Sequence, residues 1–252
     1  MRALIISDIH ANLPALEAVL AAAPQHDVVW NLGDIVGYGA DPDAAVAVAR
    51  SLGGVVIRGN HDRACSGDSG GSFDFNDDAQ WAIDWTRRVL SEENDKWLSR
   101  LPRGPLRPLG NKVACVHGST WDEDEYLFSR NGARLAFRRS HVQIIFCGHT
   151  HWQTAWSSNR RRELNQVKPE FRHDDSANQF ELQLCETDRY VLNPGSVGQP
   201  RDGDWRAAFA IYDDDRSLLT WCRVPYDVAT AQSRIREAGL PEGLASRLEE
   251  GS

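Results

Sequence analysis

Five short stretches of the chain bring together side chains able to hold a metal ion or move a proton: Asp8-Ile9-His10, Gly33-Asp34, Gly59-Asn60-His61-Asp62, His117-Gly118 and Gly148-His149-Thr150-His151. Imidazole nitrogens with carboxylate and amide oxygens are the donor set of borderline divalent cations, and no thiolate stands among them. Taken singly, each stretch has a plainer explanation. Asp8 could cap a helix or its loop, and His10 could be merely exposed. Gly33-Asp34 and Asn60-His61-Asp62 are turn-like residues. His149 and His151, two apart, face the same way on any extended segment, and His117 alone reads as an ordinary half-buried histidine. Jointly they are harder to dismiss, because five of the eight histidines, with three aspartates and an asparagine, fall in these stretches. Random turns would not collect imidazoles so selectively.

The elements that must position them can be read from the apolar pattern. Residues 3–7 form a short apolar run, and 13–23 carry apolar residues at helical spacing behind Asn12 and Pro14, which predicts strand, loop and helix. The unit repeats: a strand at 28–32, a loop at 33–41, a helix from Pro42 to Leu52 and a strand at 54–58. Two consecutive β-α-β crossovers imply a parallel sheet, whose loops beyond the carboxyl ends of the strands converge on one crevice. Further strands are expected at 112–116, 142–147, 190–192, 207–212 and 218–224, and the close spacing of the late ones predicts antiparallel pairing. All five stretches follow or end a predicted strand. Residues 65–76, rich in Gly, Ser and Asp, read as a mobile surface loop before a helix containing Trp81, Trp85 and Val89. Residues 157–187 read as a polar excursion outside the core, with a hairpin as one form it could take, and 227–248 as two short helices broken at Gly239 and Pro241. No linker divides the chain, so one domain over 1–252 is expected.

The whole composition sets limits on function. A chain of 252 residues with 41% apolar and 25% charged residues can bury a sizeable core. A formal charge of -8 argues against broad capture of nucleic acid or anionic lipid. An anionic substrate would then need local cations. The apolar run before Asp8 is too short for a signal peptide or a membrane span, so a cytoplasmic protein is the expectation. Five widely spaced cysteines without a C-x-x-C suggest neither a disulfide framework nor a zinc ribbon.

The ordered set D-x-H, G-D, G-N-H-D, V-H-G and G-H-T-H, complete from Asp8 to His151, resembles that of the calcineurin-like metallophosphoesterase superfamily. The segment N-P-G-S-V-G-Q-P-R at 193–201 is similar to one in its small bacterial and archaeal phosphodiesterase-like branch. The resemblance implies a four-layer α/β/β/α sandwich with two mixed β-sheets. It implies that Asp8, His10, Asp34 and His151 hold one divalent ion, and that Asp34, Asn60, His117 and His149 hold a second, with Asp34 as the bridge. The donor types suit Mn, Fe, Zn or Co, with Mn the first choice for an assay in vitro. It further implies in-line attack on a phosphate ester by a hydroxide lying between the ions. His61 is then expected to protonate the leaving oxygen or to stabilise the transition-state charge, with Asp62 orienting its ring.

Weaker signals surround this set. Arg201 could place a fork of donors on a substrate phosphate, or lie in a structural salt bridge. Tyr38 and Trp152 could stack on a nucleobase or an aryl leaving group, although packing is the commoner role of aromatic residues so near a core. Arg160-Arg161-Arg162 reads as a solvated loop face that the acidic segment 122–125 could offset. The leading expectation is therefore a metal-dependent phosphatase or phosphodiesterase acting on a small phosphorylated substrate, nucleotides among the candidates. A dinucleoside polyphosphate hydrolase of the diadenosine tetraphosphate type is the alternative within the same chemistry. A non-catalytic protein-binding scaffold on the same fold is the alternative from another class, and the acidic balance disfavours a nuclease.

Overall fold

The computed structural model describes residues 1–67, 75–172 and 176–252. The chain runs β1 (Arg2–Ile6), α1 (Leu13–Ala22), β2 (Val28–Asn31), α2 (Pro42–Leu52), β3 (Val55–Val56), α3 (Asn60–Cys65), α4 (Asp77–Val89), α5 (Glu92–Leu98) and β4 (Val113–Cys115). It continues through α6 (Arg130–Arg139), β5 (Ile144–Phe146), β6 (Gln153–Ser158), β7 (Leu164–Val167), β8 (Asn178–Gln183) and β9 (Arg189–Pro194). It ends with β10 (Ala207–Asp213), β11 (Leu218–Val224), α7 (Val228–Glu237) and α8 (Glu242–Glu250). The strands form two mixed sheets, ordered β3-β2-β1-β10-β11-β8 and β4-β5-β9-β6-β7.

Alternation along the strands explains the layering, because successive side chains leave a strand on opposite faces. Ala3 and Ile5 of β1 and Ala210 and Tyr212 of β10 enter a core shared with Val113, Ile144, Phe146 and Leu192 of the other sheet. Leu4, Ile6, Phe209 and Ile211 face the opposite way, onto α1, α2, α7 and α8 through residues such as Leu16, Val46, Ile235 and Leu244. On the outer face of the second sheet, Ile145 and Val191 pack with Ala133, Ala136 and Phe137 of α6. Three apolar cores between four layers make an α/β/β/α sandwich.

The parallel half of the first sheet agrees with the crossovers read from the sequence: β1 pairs parallel with β2 and β2 with β3. The late strands β10 and β11 pair antiparallel, as their spacing predicts. Residues 157–187 depart from a self-contained excursion. β6 and β7 make an antiparallel hairpin within the second sheet, whereas β8 adds to the edge of the first beside β11. One polar segment thus finishes both sheets, and its alternating half-exposed β8 is what an edge strand presents. Asn60-His61-Asp62, turn-like in isolation, opens the helix α3. The expected loop at 65–76 lies largely outside the described residues, and Cys65 at its start is a buried helical residue. Trp81 and Val89 lie on the exposed side of α4, which buries Ala79, Ala82, Ile83 and Thr86 instead. Among the described residues no helix is long and apolar enough to cross a membrane.

The two sheets are also joined by polar groups. Gln153, at the start of β6, donates to the carbonyls of Phe209 and Cys222 in the opposite sheet and accepts from Arg223 Nε at 2.8 Å. Arg223, 2% exposed, donates as well to the carbonyls of Asp204 and Arg206 and pairs with Asp202. This arginine therefore ties the loop carrying Arg201 to both sheets. Replacing Arg223 takes this donor from the buried Gln153 Oε1 and from the carbonyls of Asp204 and Arg206, which at about 1–3 kcal/mol per buried unsatisfied group comes to roughly 3 kcal/mol or more. Arg223→Met is expected to lower unfolding free energy by about that amount in urea titrations, and a variant as stable as wild type would contradict this role.

Candidate metal centre

The crevice forms where the carboxyl ends of β1, β2, β3, β4 and β5 meet. The loops after β1 and β2 are zipped together by Asp8 N–H to Gly33 O (2.9 Å), His10 N–H to Asp34 O (3.0 Å) and Ala11 N–H to Ile35 O (2.8 Å). Space there is scarce enough to demand glycine at two positions. A Cβ on Gly59 would stand 2.1 Å from Asp34 Oδ1, and one on Gly148 would stand 1.9 Å from Ser7 Oγ. A side chain at Gly59 would push its loop off Asp34, and one at Gly148 would push its loop off Ser7 and Asp8.

All seven candidate ligands are brought together and buried: Asp8, His10, Asp34, Asn60, His117, His149 and His151 are at most 6% exposed. Ligand atoms of Asp8, His10 and His151 lie within 4.8 Å of one another, as do those of Asp34, His117 and His149, and those of His10, Asp34 and His61. Asp34 Oδ2 sits between the two sets, 3.3 Å from His117 Nε2 and 3.8 Å from His10 Nε2. Asn60 Oδ1 joins His117 Nε2 at 3.0 Å.

The outward nitrogens of the rings fix which inner ones are free. His10 Nδ1 donates to Val36 O (3.2 Å), His117 Nδ1 to Leu32 O (2.8 Å) and His151 Nδ1 to Gln199 O (2.6 Å). Each Nε2 is then turned inward, the arrangement in which a backbone carbonyl sets tautomer and ring orientation for a metal ligand. His149 is held the other way round, with Nε2 on Asp124 O at 3.2 Å, so Nδ1 is its inner atom. Two donors each about 2.1 Å from one ion and about 90–110° apart would stand about 3.0–3.4 Å from one another. His10 Nε2 to His151 Nε2 is 3.1 Å, and His151 Nε2 to Asp8 Oδ1 is 3.3 Å. With the Asn60, His117 and Asp34 spacings above, the donor set fits divalent ions.

Burial and charge set the protonation states. Burial alone would raise Asp8 and Asp34, but His151 facing Asp8, and His117 and His61 facing Asp34, hold both well below the usual carboxylate range. Burial lowers His10 and His151, and takes His149 down to about 3, so these rings are neutral. His117 resists its burial and is raised to about 10 by Asp34. Burial lowers His61 to about 4 despite the nearby Asp34 carboxylate.

Asp62 does not orient His61, contrary to the sequence expectation. Its carboxylate accepts four backbone N–H groups: Asp34 (2.8 Å), Ile35 (2.8 Å), Val36 (3.2 Å) and Gly59 (3.0 Å). The His61 Nδ1 atom has no hydrogen-bond partner among the described residues. The ring is held by packing between Tyr38, His10 and Phe75, with centroids 4.4–4.9 Å away, while the backbone N–H of His61 donates to Asp34 Oδ1. An acceptor with four donors in reach has no geometry left for an imidazole, which is why adjacency in sequence misleads here.

The segment 193–201 acts from below. Gly198 N–H and Ser196 Oγ–H both donate to Asp8 O, and Asn193 Nδ2 to Gly148 O and Thr150 Oγ1. Arg201 reaches the site's edge, donating to Gln199 Oε1 and Tyr38 Oη, with its guanidinium 5.6 Å from the Tyr38 ring centre. Tyr38 is 6% exposed and packs on His10 and His61. Trp152 lies farther out beneath the Lys168 ammonium. The acidic residues near 122–125 do not offset the Arg160–162 run: Glu123 pairs with Arg58 and Arg63, and Asp124 with Arg63. Tyr126 and Phe128, unremarked in the sequence, border the site, Tyr126 stacking on His149 at 3.8 Å. Their only signal was an aromatic pair two apart around Leu127.

Residues 1–153 match the family model of the calcineurin-like phosphoesterases. The chain is 35% identical to the uncharacterized protein MJ0912 of Methanocaldococcus jannaschii, over 97% of this chain and 96% of that one. It superposes on the crystal structure of a metallophosphoesterase from Sphaerobacter thermophilus with a TM-score of 0.84 and 39% identity, covering 100% of this chain and 99% of that one. A stretch of 67 residues is 37% identical to a symmetrical bis(5'-nucleosyl)-tetraphosphatase of Pectobacterium carotovorum, spanning 25% of this chain and 24% of the relative.

The Asp62 network carries its own test. In Asp62→Asn the amide nitrogen must face backbone N–H groups that now lack an acceptor, and each buried unsatisfied donor costs about 1–3 kcal/mol. Denaturant titration in the presence of a chelator is expected to show a loss of about 2 kcal/mol or more. Unchanged stability would mean that Asp62 does not hold the loop.

Proposed function

The chain belongs to the calcineurin-like phosphoesterase family, and on that premise we propose that it hydrolyses esters of a small phosphorylated substrate with two divalent ions. Asp8, His10, Asp34 and His151 would hold one ion, and Asp34, Asn60, His117 and His149 the other. The observation that carries this reading is Asp34 Oδ2, set between two groups of inward-facing imidazole nitrogens. Ions of Mn, Fe, Zn or Co suit these donors. Bound there, they supply Lewis acidity toward phosphate oxygens and a water-derived nucleophile near neutral pH.

The protein's own groups do the remaining work. The carbonyls of Val36, Leu32 and Gln199 keep His10, His117 and His151 in the ligand tautomer. Binding lets His117 give up the proton that Asp34 otherwise keeps on it. His61, neutral at physiological pH, is suited to donating a hydrogen bond to charge developing on the phosphate, and less to acting as an acid from a stored proton. Arg201 would hold a second phosphate oxygen, a role supported by its position at the edge of the site beside Gln199 and Tyr38.

The partial similarity to a symmetrical bis(5'-nucleosyl)-tetraphosphatase favours a second reading, hydrolysis of a dinucleoside polyphosphate, which product chromatography separates from simple ester cleavage. The complete donor set weighs against a purely protein-binding scaffold.

Asp34→Ala is expected to lose bound metal in elemental analysis and to reduce phosphate release by roughly a thousandfold or more, since a metal pair contributes several kcal/mol of transition-state stabilisation. A variant retaining both would refute the shared carboxylate. His61→Ala is expected to keep two ions per chain while turnover falls roughly 10²–10³-fold. Wild-type turnover in that variant would remove His61 from the chemistry.

A further inference from the structure

Among the described residues four large hydrophobic side chains are prominently exposed, and two of them, Tyr126 (44%) and Phe128 (46%), stand at the metal crevice. Leu127 between them is buried in the core beneath α6, so the extended backbone turns both aromatic rings outward together. Their segment is anchored: Asp124 O receives His149 Nε2, Asp124 pairs with Arg63, and the buried Glu123 pairs with Arg58 and Arg63. The rings form a continuous run. Tyr126 stacks on His149 at 3.8 Å, Phe128 lies within 2° of parallel to Tyr126 at 5.2 Å, and Trp152 meets Phe128 edge-on at 5.9 Å. Lys168 Nζ sits 4.7 Å above Trp152, and Trp152, Lys168 and Arg201 line one cavity of about 620 Å³. Arg201 Nε is buried without an acceptor among the described residues.

We propose that Tyr126 and Phe128 form a nucleobase platform beside the metal centre, so that the substrate class is nucleotides. This rests on the phosphoesterase reading for the placement of the phosphate. A phosphate held at the ligand cluster leaves the organic part of the ester against this wall. A flat, π-rich group is what solvent-exposed, parallel rings on a rigid loop recognise, while the cations at Arg201 and Lys168 match further phosphate oxygens. An aliphatic alcohol portion would gain little from such a surface.

The test is calorimetric binding of two phosphonates that carry no P–O–C ester bond, 5'-deoxy-5'-(phosphonomethyl)adenosine and methylphosphonate, to the Mn²⁺-loaded protein. Wild type is expected to prefer the nucleoside probe. Combining Tyr126→Ala with Phe128→Ala should weaken that probe roughly five- to a hundredfold, the range of base–aromatic stacking, and leave methylphosphonate unchanged. Exchanging the rings, Tyr126→Phe with Phe128→Tyr, should restore the preference. Equal binding of both probes by wild type, or equal weakening of both in the alanine variant, overturns the platform. Nitrophenol release from p-nitrophenyl phosphate and bis(p-nitrophenyl) phosphate by the same preparation tests the phosphoesterase reading separately: no release from either defeats that reading, while the binding comparison still decides the platform.

Discussion

The Asp62 carboxylate is the interaction on which the crevice depends. A carboxylate can accept about four hydrogen bonds, and this one receives the amides of Asp34, Ile35, Val36 and Gly59. Those four amides belong to two loops that otherwise share no sheet pairing beyond the short β2–β3 ladder. Because Asp62 lies in the first turn of α3, the same contact sets where Asn60 and His61 begin. The position of Asp34 relative to Asn60 is thereby fixed before any ion arrives. Burial and the neighbouring Asp34 charge push Asp62 up to about 7, and the amide bonds oppose that rise.

Preorganisation of this kind has to overcome backbone strain. Asp8, His10, Asp34, His149 and His151 all adopt positive φ, between 49° and 64°. Left-handed conformations of L-residues cost about 1–2 kcal/mol each, somewhat less for aspartate, so the site stores several kcal/mol against a typical net stability of about 5–15 kcal/mol. Such conformations persist only where surroundings over-determine them. Here the surroundings are the zipped loops 8–11 and 33–35, the 193–201 segment under Asp8, and the ring-to-carbonyl bonds. The strain turns successive donors inward at tight corners, so His149 and His151 reach the two sides of Asp34 and not one shared face as an extended segment would dictate.

This explains what was legible in the sequence. The strand-end placement of Asp8, Asp34, Asn60, His117 and His149 could be read because parallel crossovers leave a strong apolar signature and oblige those loops to converge. The four-layer arrangement came from family resemblance, since alternation within β1 or β10 says that both faces are covered without saying by what. The role of Asp62 was hidden because its partners are backbone amides, which carry no sequence identity. The edge strands β7 and β8 were hidden because half-exposed polar strands look like loop. Tyr126 and Phe128 escaped notice because their importance comes from contact with His149 and Trp152 respectively, each more than twenty residues later.

Electrostatics connects the acidic chain to its proposed anionic substrate. Asp8 and Asp34 are ionised, and of the ligand imidazoles His117 alone is raised while His10, His149 and His151 are lowered, so the donor set by itself stays net negative and would repel a phosphate, as would the formal charge of -8. Two dications held there would outweigh the two carboxylates and leave the crevice net positive toward a phosphate ester. Attraction for the substrate would then be confined to the crevice and present only when the ions are bound. Long polyanions, which need a wide basic surface, would still be turned away by the rest of the molecule. A small anion carrying a flat organic group is left as the ligand that charge and shape select together.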